Sequence, residues 1–215
     1  MRRLPRREEV MIPGPAGDLE ALLELPPEGE PTGYGVACHP HPQHGGSMQN
    51  KVVHTLCRVF NERGLAAIRF NFRGVGASEG GYDDGVGEVD DALAVMDWAA
   101  RRFGGEAWLA GFSFGAAVAL HAAARRTPAR LITVAPPVGR LPVATERQPE
   151  CPWIIVQGEE DELVDADGVV EWVNELAPGP ELLLLPEVDH FFHGKLTLLR
   201  ERLGELLDGE GKDAD

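Results

Sequence analysis

The rhythm of apolar and polar positions changes once along the chain. Over residues 10–12 and 19–25, apolar runs flank the turn-rich segment Pro13-Gly14-Pro15-Ala16-Gly17-Asp18, which predicts a β-hairpin. From residue 34 onward, short apolar runs alternate with segments of helical period. Strands are predicted over 34–38, 65–72, 107–111, 131–135, 153–157 and 181–185. Helices are predicted over 51–63, 86–103, 114–126, 166–176 and 191–207. The helix over 51–63 carries Val52, Leu56, Val59 and Phe60 on one face, and that over 86–103 carries Val89, Leu93, Met96, Ala100 and Phe103.

Strands that alternate with helices of ten or more residues build an α/β fold, a mostly parallel sheet flanked by helices on both faces. Such strands are buried on both sides and read as continuous apolar runs, as Trp153-Ile154-Ile155-Val156 does. Ligands of parallel sheets bind beyond the carboxyl ends of the strands. The segments 39–46, 71–78, 111–115, 158–165 and 187–193 therefore hold the candidate chemistry.

Composition narrows the classes. A chain of 215 residues, 43% hydrophobic and 26% charged, is a single domain over 1–215 that buries a core without disulfides or a structural metal. The ends, 1–7 and 209–215, read as flexible tails. Arg2 and Arg3 are followed by no apolar stretch of the kind a signal peptide requires. Three cysteines, Cys38, Cys57 and Cys151, with no C-x-x-C pair, fit a reducing compartment, so the expected location is cytoplasmic. A net charge of −15 repels both phosphate backbones and anionic membrane surfaces, and no apolar run reaches membrane-span length. The expected partner is a small molecule, not a nucleic acid or a membrane.

The strongest local signal is Gly111-Phe112-Ser113-Phe114-Gly115, a Gly-x-Ser-x-Gly that follows a predicted strand and opens a predicted helix. Small residues two positions either side of the serine permit a sharp turn. That turn lifts the hydroxyl above the sheet edge and points the Phe114 N–H and the helix N-terminus at a developing oxyanion. With three serines and 26 glycines in the chain, the spacing alone arises by chance about 4% of the time.

A serine hydroxyl needs a general base, and the base needs an orienting acid. Three histidines follow Ser113. His121 lies two helical turns on and faces away. His190 sits in the loop after the last strand and is favoured over His193, one turn later. After the strand over 153–157, Glu159, Glu160, Asp161 and Glu162 offer carboxylates. Asp161 is the candidate acid, and Asp165 is well placed to cap the helix that follows.

Five segments, in this order, resemble the α/β-hydrolase superfamily, specifically the small lidless serine esterases similar to dienelactone hydrolases. They are His39-Pro40-His41-Pro42-Gln43-His44-Gly45-Gly46, Phe70 to Ser78, Gly111 to Gly115, Gly158 to Asp161 and Asp189 to His193. The resemblance implies an α/β-hydrolase fold with an N-terminal β-hairpin and a Ser113, Asp161, His190 triad. It also implies an oxyanion hole from the backbone N–H groups of Phe114 and His41, and no cofactor. Dienelactone hydrolases proper carry a cysteine nucleophile where this chain has Ser113. The segment 136–152, where the family often inserts a lid, is short and proline-rich, so no large cap is expected.

The expected activity is a carboxylesterase acting on small acyl esters through a covalent acyl-enzyme. A non-catalytic ligand-binding relative and an acyltransferase are the alternatives. Other motifs read as structure. His39, His41 and His44 have zinc-compatible spacing but no clear further ligand. Gly74-Val75-Gly76 follows a strand like a dinucleotide loop but lacks its third glycine, and Arg73 beside it is expected to tie loops together. The acids Asp83, Asp84, Glu88, Asp90 and Asp91 are expected to cap a helix and cover a solvated face.

Overall fold

The computed structural model describes residues 6–140 and 147–209. The hairpin is β1 (Arg6–Gly14) and β2 (Gly17–Leu25), antiparallel in register from Arg6 opposite Leu25 to Gly14 opposite Gly17. The α/β part follows as β3 (Gly33–Cys38), α1 (Lys51–Glu62), β4 (Ala66–Phe70), α2 (Val86–Phe103), β5 (Glu106–Phe112) and α3 (Phe114–Arg125). It ends with β6 (Arg130–Val134), β7 (Trp153–Gly158), α4 (Ala166–Asn174), β8 (Glu181–Leu185) and α5 (Leu196–Gly209). A short 3-10 turn, Pro42–His44, interrupts the loop after β3.

The strands form one eight-stranded sheet in the order β1-β2-β4-β3-β5-β6-β7-β8. β3 to β8 are mutually parallel, and β2 joins them antiparallel along β4. Every residue of β3, β4 and β7 is buried, as their continuous apolar sequence requires. One face of the sheet packs against α2, α3 and Val169 of α4, and the other against α1 and α5. This is the α/β-hydrolase fold. Only residues 135–152 connect β6 to β7, too short a stretch for a cap domain. Among the described residues no helix is long and apolar enough to cross a membrane.

The elements start where side chains supply caps. Asn50 Oδ1 accepts from the Val52 and Val53 N–H groups at the head of α1. Glu88 reaches back to the N–H groups of Asp83 and Gly85, both at 2.9 Å, at the head of α2. Asp165 accepts from Gly168 at the head of α4.

Three expectations change. β1 begins at Arg6, and Arg7 Nε donates to Glu24 Oε1 at 2.7 Å, so Arg6 and Arg7 are strand residues, not tail. Residues 1–5 and 210–215 lie outside the described residues. The last helix starts at Leu196, not 191. Phe192 and Gly194 take left-handed φ values of 56° and 68°, which break an α-helix, and the buried Phe192 anchors the resulting turns. Finally, Glu88 and Asp91 are fully buried and do not form a solvated acidic face. Helical period alone could not show that the loop after β4 folds back over α2.

Candidate active site

The loops at the carboxyl ends of β3, β4, β5, β7 and β8 converge over the sheet. Ser113 stands between β5 and α3 with φ 55° and ψ −118°, a backbone conformation that L-residues rarely adopt. Its N–H donates to Val134 O at 2.9 Å, and its carbonyl accepts from Ala116 N at 2.8 Å, so both neighbouring elements hold the turn. The flanking glycines are needed for room. A Cβ on Gly111 would lie 1.9 Å from Gly115 O, and a Cβ on Gly115 would lie 2.4 Å from Cys38 O.

His190 and Asp161 complete a hydrogen-bonded chain. His190 Nε2 lies 3.2 Å from Ser113 Oγ, and His190 Nδ1 lies 2.8 Å from Asp161 Oδ2. The histidine and aspartate side chains are 3% and 1% exposed, so the pair is shielded from competing water. An ionised carboxylate only accepts, so Nδ1 carries the proton and Nε2 turns its lone pair toward the serine hydroxyl. Phe112 and Phe191 pack against the imidazole at centroid distances of 5.2 and 5.1 Å. Its backbone N–H donates to Glu162 Oε2 at 3.2 Å.

Every lone-pair direction of Asp161 is in use. Oδ1 accepts from the N–H groups of Leu163 at 2.9 Å and Val164 at 2.7 Å, and Oδ2 accepts from Gln157 Nε2 at 3.1 Å as well as from His190. Burial pushes the acid's pKa up, but the hydrogen bonds from His190, Val164 and Leu163 outweigh it. The carboxyl is held below its ordinary range and stays ionised.

The loop after β3 closes the other side. His39 is fully buried, and its two nitrogens are both committed: Nδ1 lies 2.6 Å from Pro40 O, and Nε2 accepts from Phe72 N at 3.1 Å. Burial lowers its pKa to about 4, so it is a neutral strut between the β3 and β4 loops, with no lone pair left for a metal. The His41 ring packs against Phe114 at 4.9 Å, against His44 at 4.3 Å and against Tyr82 at 5.2 Å. Its Nδ1 accepts from Gln43 N, so its Nε2 carries the proton and faces the Tyr82 hydroxyl at 3.2 Å. The β3 loop thus lies against the first turn of α3, whose leading N–H groups have no partner within the helix. Arg73 and the buried Asp91 tie the β4 loop to α2, through bonds at 2.7 to 3.1 Å.

Ser113, Asp161 and His190 are thus brought together, with Phe114 and His41 beside them. His193 is not part of this chain of contacts: it is exposed and bonds Asp189 at 2.7 Å. His121 stays on α3, away from the turn. Sequence reasoning missed Gln157 and Tyr82, and it offered Glu162 only among the candidate acids, not as the acceptor of the His190 backbone N–H. Gln157 left a trace, as the one uncharged polar side chain closing the apolar run of β7.

Comparison with known proteins gives the family and the fold. The family model described as X-Pro dipeptidyl-peptidase (S15 family) matches residues 15–145, which include Ser113 but not Asp161 or His190. An uncharacterized protein of Rickettsia prowazekii (strain Madrid E) is 34% identical over 180 residues, 79% of this chain and 76% of that protein. An alpha-beta serine hydrolase homologue from Coxiella burnetii superposes with a TM-score of 0.89 at 46% identity, covering 93% of this chain and 97% of that one. A lidless α/β serine hydrolase from Xanthomonas campestris superposes with the same TM-score at 41% identity, covering 93% of each chain.

Proposed function

The chain belongs to the α/β-hydrolase superfamily, matching the family model of the S15 peptidases, and from that premise we propose that it is a serine carboxylesterase for small acyl esters. The observation that carries this reading is the continuous chain Ser113 Oγ, His190, Asp161 on a strained turn at the strand ends. In this reading Ser113 Oγ attacks the ester carbonyl carbon while His190 Nε2 takes its proton. Asp161 holds the tautomer and stabilises the imidazolium. The oxyanion accepts from the N–H groups of Phe114 and His41. His190 then protonates the leaving alcohol, and water, activated by the same histidine, releases the acid. No step calls on a cofactor. The short β6–β7 connection supports an open site and small substrates. Two buried cysteines and one half-buried one, all free, support a cytoplasmic protein.

The test is intact-mass labelling with a fluorophosphonate. The wild type gains one adduct, whereas Ser113→Ala and His190→Ala gain none. Ester turnover in Ser113→Ala falls by roughly 10⁴-fold or more. An unlabelled, folded wild type would refute the reading.

A second reading rests on the description of the matching family as peptidases. The same geometry cleaves amides if the leaving amine is protonated by His190. A matched ester and anilide of one acyl group separate the two. The esterase reading expects the ester to lead by several orders of magnitude in kcat/KM.

A further inference from the structure

Gln157 is the last side chain of β7 before Gly158, and it is fully buried in a strand that is otherwise Trp153, Ile154, Ile155 and Val156. A polar side chain at such a place is costly unless its groups are satisfied. Its amide nitrogen is surrounded by three oxygens: Asp161 Oδ2 at 3.1 Å, Gly158 O at 3.1 Å and Val164 O at 3.4 Å. That surrounding fixes the orientation of the amide, because a flipped oxygen would face three acceptors. The amide oxygen is buried and, among the described residues, has no hydrogen-bond partner. Gln157 is therefore held for what its N–H groups do, at the expense of its oxygen.

We propose that Gln157 is a positioning residue that orients the Asp161 carboxylate for His190; this rests on the serine-hydrolase reading above. The two oxygens of Asp161 have different anchors. Oδ1 is held by backbone N–H groups from its own loop, whereas Oδ2 has only Gln157 and the imidazole it must orient. With Gln157 present, the carboxylate plane is set by three protein donors and the imidazole aligns to it. Without Gln157, the Oδ2 side pivots about the Oδ1 anchors, and the histidine loses its fixed tautomeric partner. The same N–H draws charge away from Oδ2 and so limits how strongly the carboxylate holds the imidazolium.

Removing the donor then has two effects. Misorientation lowers kcat without altering substrate contacts. The more concentrated charge on Oδ2 favours the protonated imidazole and moves the acidic limb of kcat/KM to higher pH. The other charged side chain that the structure places against the pair is Glu162 on the β7 loop, which accepts from the His190 backbone N–H and remains in place; on the β8 loop, Asp189 and the exposed His193 bond each other.

The variant Gln157→Met keeps the length and shape of the side chain and removes the donor. It is expected to lower kcat about three- to tenfold with KM unchanged, and to move the acidic limb up by about half a pH unit. In an Asp161→Ala background the same substitution is expected to change kcat less than twofold, because its effect passes through Asp161. Gln157→Leu repeats the measurement if the methionine variant does not fold. The downfield proton resonance between His190 and Asp161, absent in His190→Ala, reports the pair without any turnover and is expected to shift in Gln157→Met.

Unchanged kcat and limb, or an equal kcat loss with and without Asp161, would overturn the proposal and leave the hydrolase reading standing. A shifted resonance in a protein whose Ser113→Ala variant retains full turnover would overturn the hydrolase reading instead.

Discussion

Ser113 and His39 show how single positions give up stability for geometry. Ser113 keeps a φ of 55° because Val134 O and the first turn of α3 hold it there, and because Gly111 and Gly115 leave the space. Both glycines were legible in the sequence, since a Gly-x-Ser-x-Gly between strand and helix has one steric meaning. The role of His39 was not legible, because a histidine beside two others at zinc-like spacing looks the same whether it binds an ion or braces two loops. Its work follows from full burial and from the Phe72 N–H it accepts. The sign of its pH effect follows too. The unfolded chain protonates this histidine below its ordinary pKa of 6.5, while the folded chain resists until about 4. Between those values the unfolded state binds more protons, so stability falls as pH falls, by roughly 3 kcal/mol if the whole shift is realised. His39→Gln offers Oε1 to the Phe72 N–H and does not titrate. Urea unfolding at pH 7 and pH 4.5 is expected to show a smaller loss in this variant than in the wild type. Equal losses would remove His39 from the account.

At the scale of elements, the apolar rhythm identified the eight strands and five helices of the described residues, because the inner strands are buried on both faces and the helices present apolar faces to the sheet, α3 being buried nearly all round. What it missed were places where tertiary contacts override local pattern. The start of α5 moved because the turns after His190 serve the site, and β1 extended because Arg7 found Glu24 across the hairpin. The charged outer strand β1, with Arg6, Arg7, Glu8 and Glu9 exposed, also discourages pairing with another chain at that edge. The acids at the start of α2 look alike in sequence, yet Glu88 caps the helix and Asp91 is buried against Arg73. This ion pair clamps the β4 loop onto α2 without touching the triad. Asp91→Ala leaves a largely buried guanidinium without its main partner and is expected to destabilise the fold by about 3–5 kcal/mol in denaturant unfolding. Activity per folded molecule is expected to stay within severalfold of the wild type. A loss under 1 kcal/mol would mean that the clamp contributes little.

At the scale of the whole molecule, the parallel sheet gathers five loops at one edge, and with them much of the negative charge. Exposed acids stand on the loop after β4, at Asp83 and Asp84, and on the loop after β7, at Glu159, Glu160, Glu162 and Asp165. Glu187 is exposed on the loop after β8. The nearby bases are largely answered: Arg73 by Asp91, and Lys195 by Glu187 at 3.5 Å. With a net charge of −15, the entrance to Ser113 therefore has a negative field that repels anionic substrates and leaves neutral ones unaffected. The field is screened over about 30 Å at 0.01 M salt but over only about 3 Å at 1 M. A matched pair of esters, one neutral and one ending in a carboxylate, reads it directly. The kcat/KM for the anionic ester is expected to rise about tenfold between 0.01 and 0.5 M salt, while that for the neutral ester changes less than twofold. If both respond alike, salt acts on the protein as a whole and the loop charges do not select the substrate. If only the anionic ester responds, the distribution of acids along the sequence, and not only the triad, sets which acyl groups reach the serine.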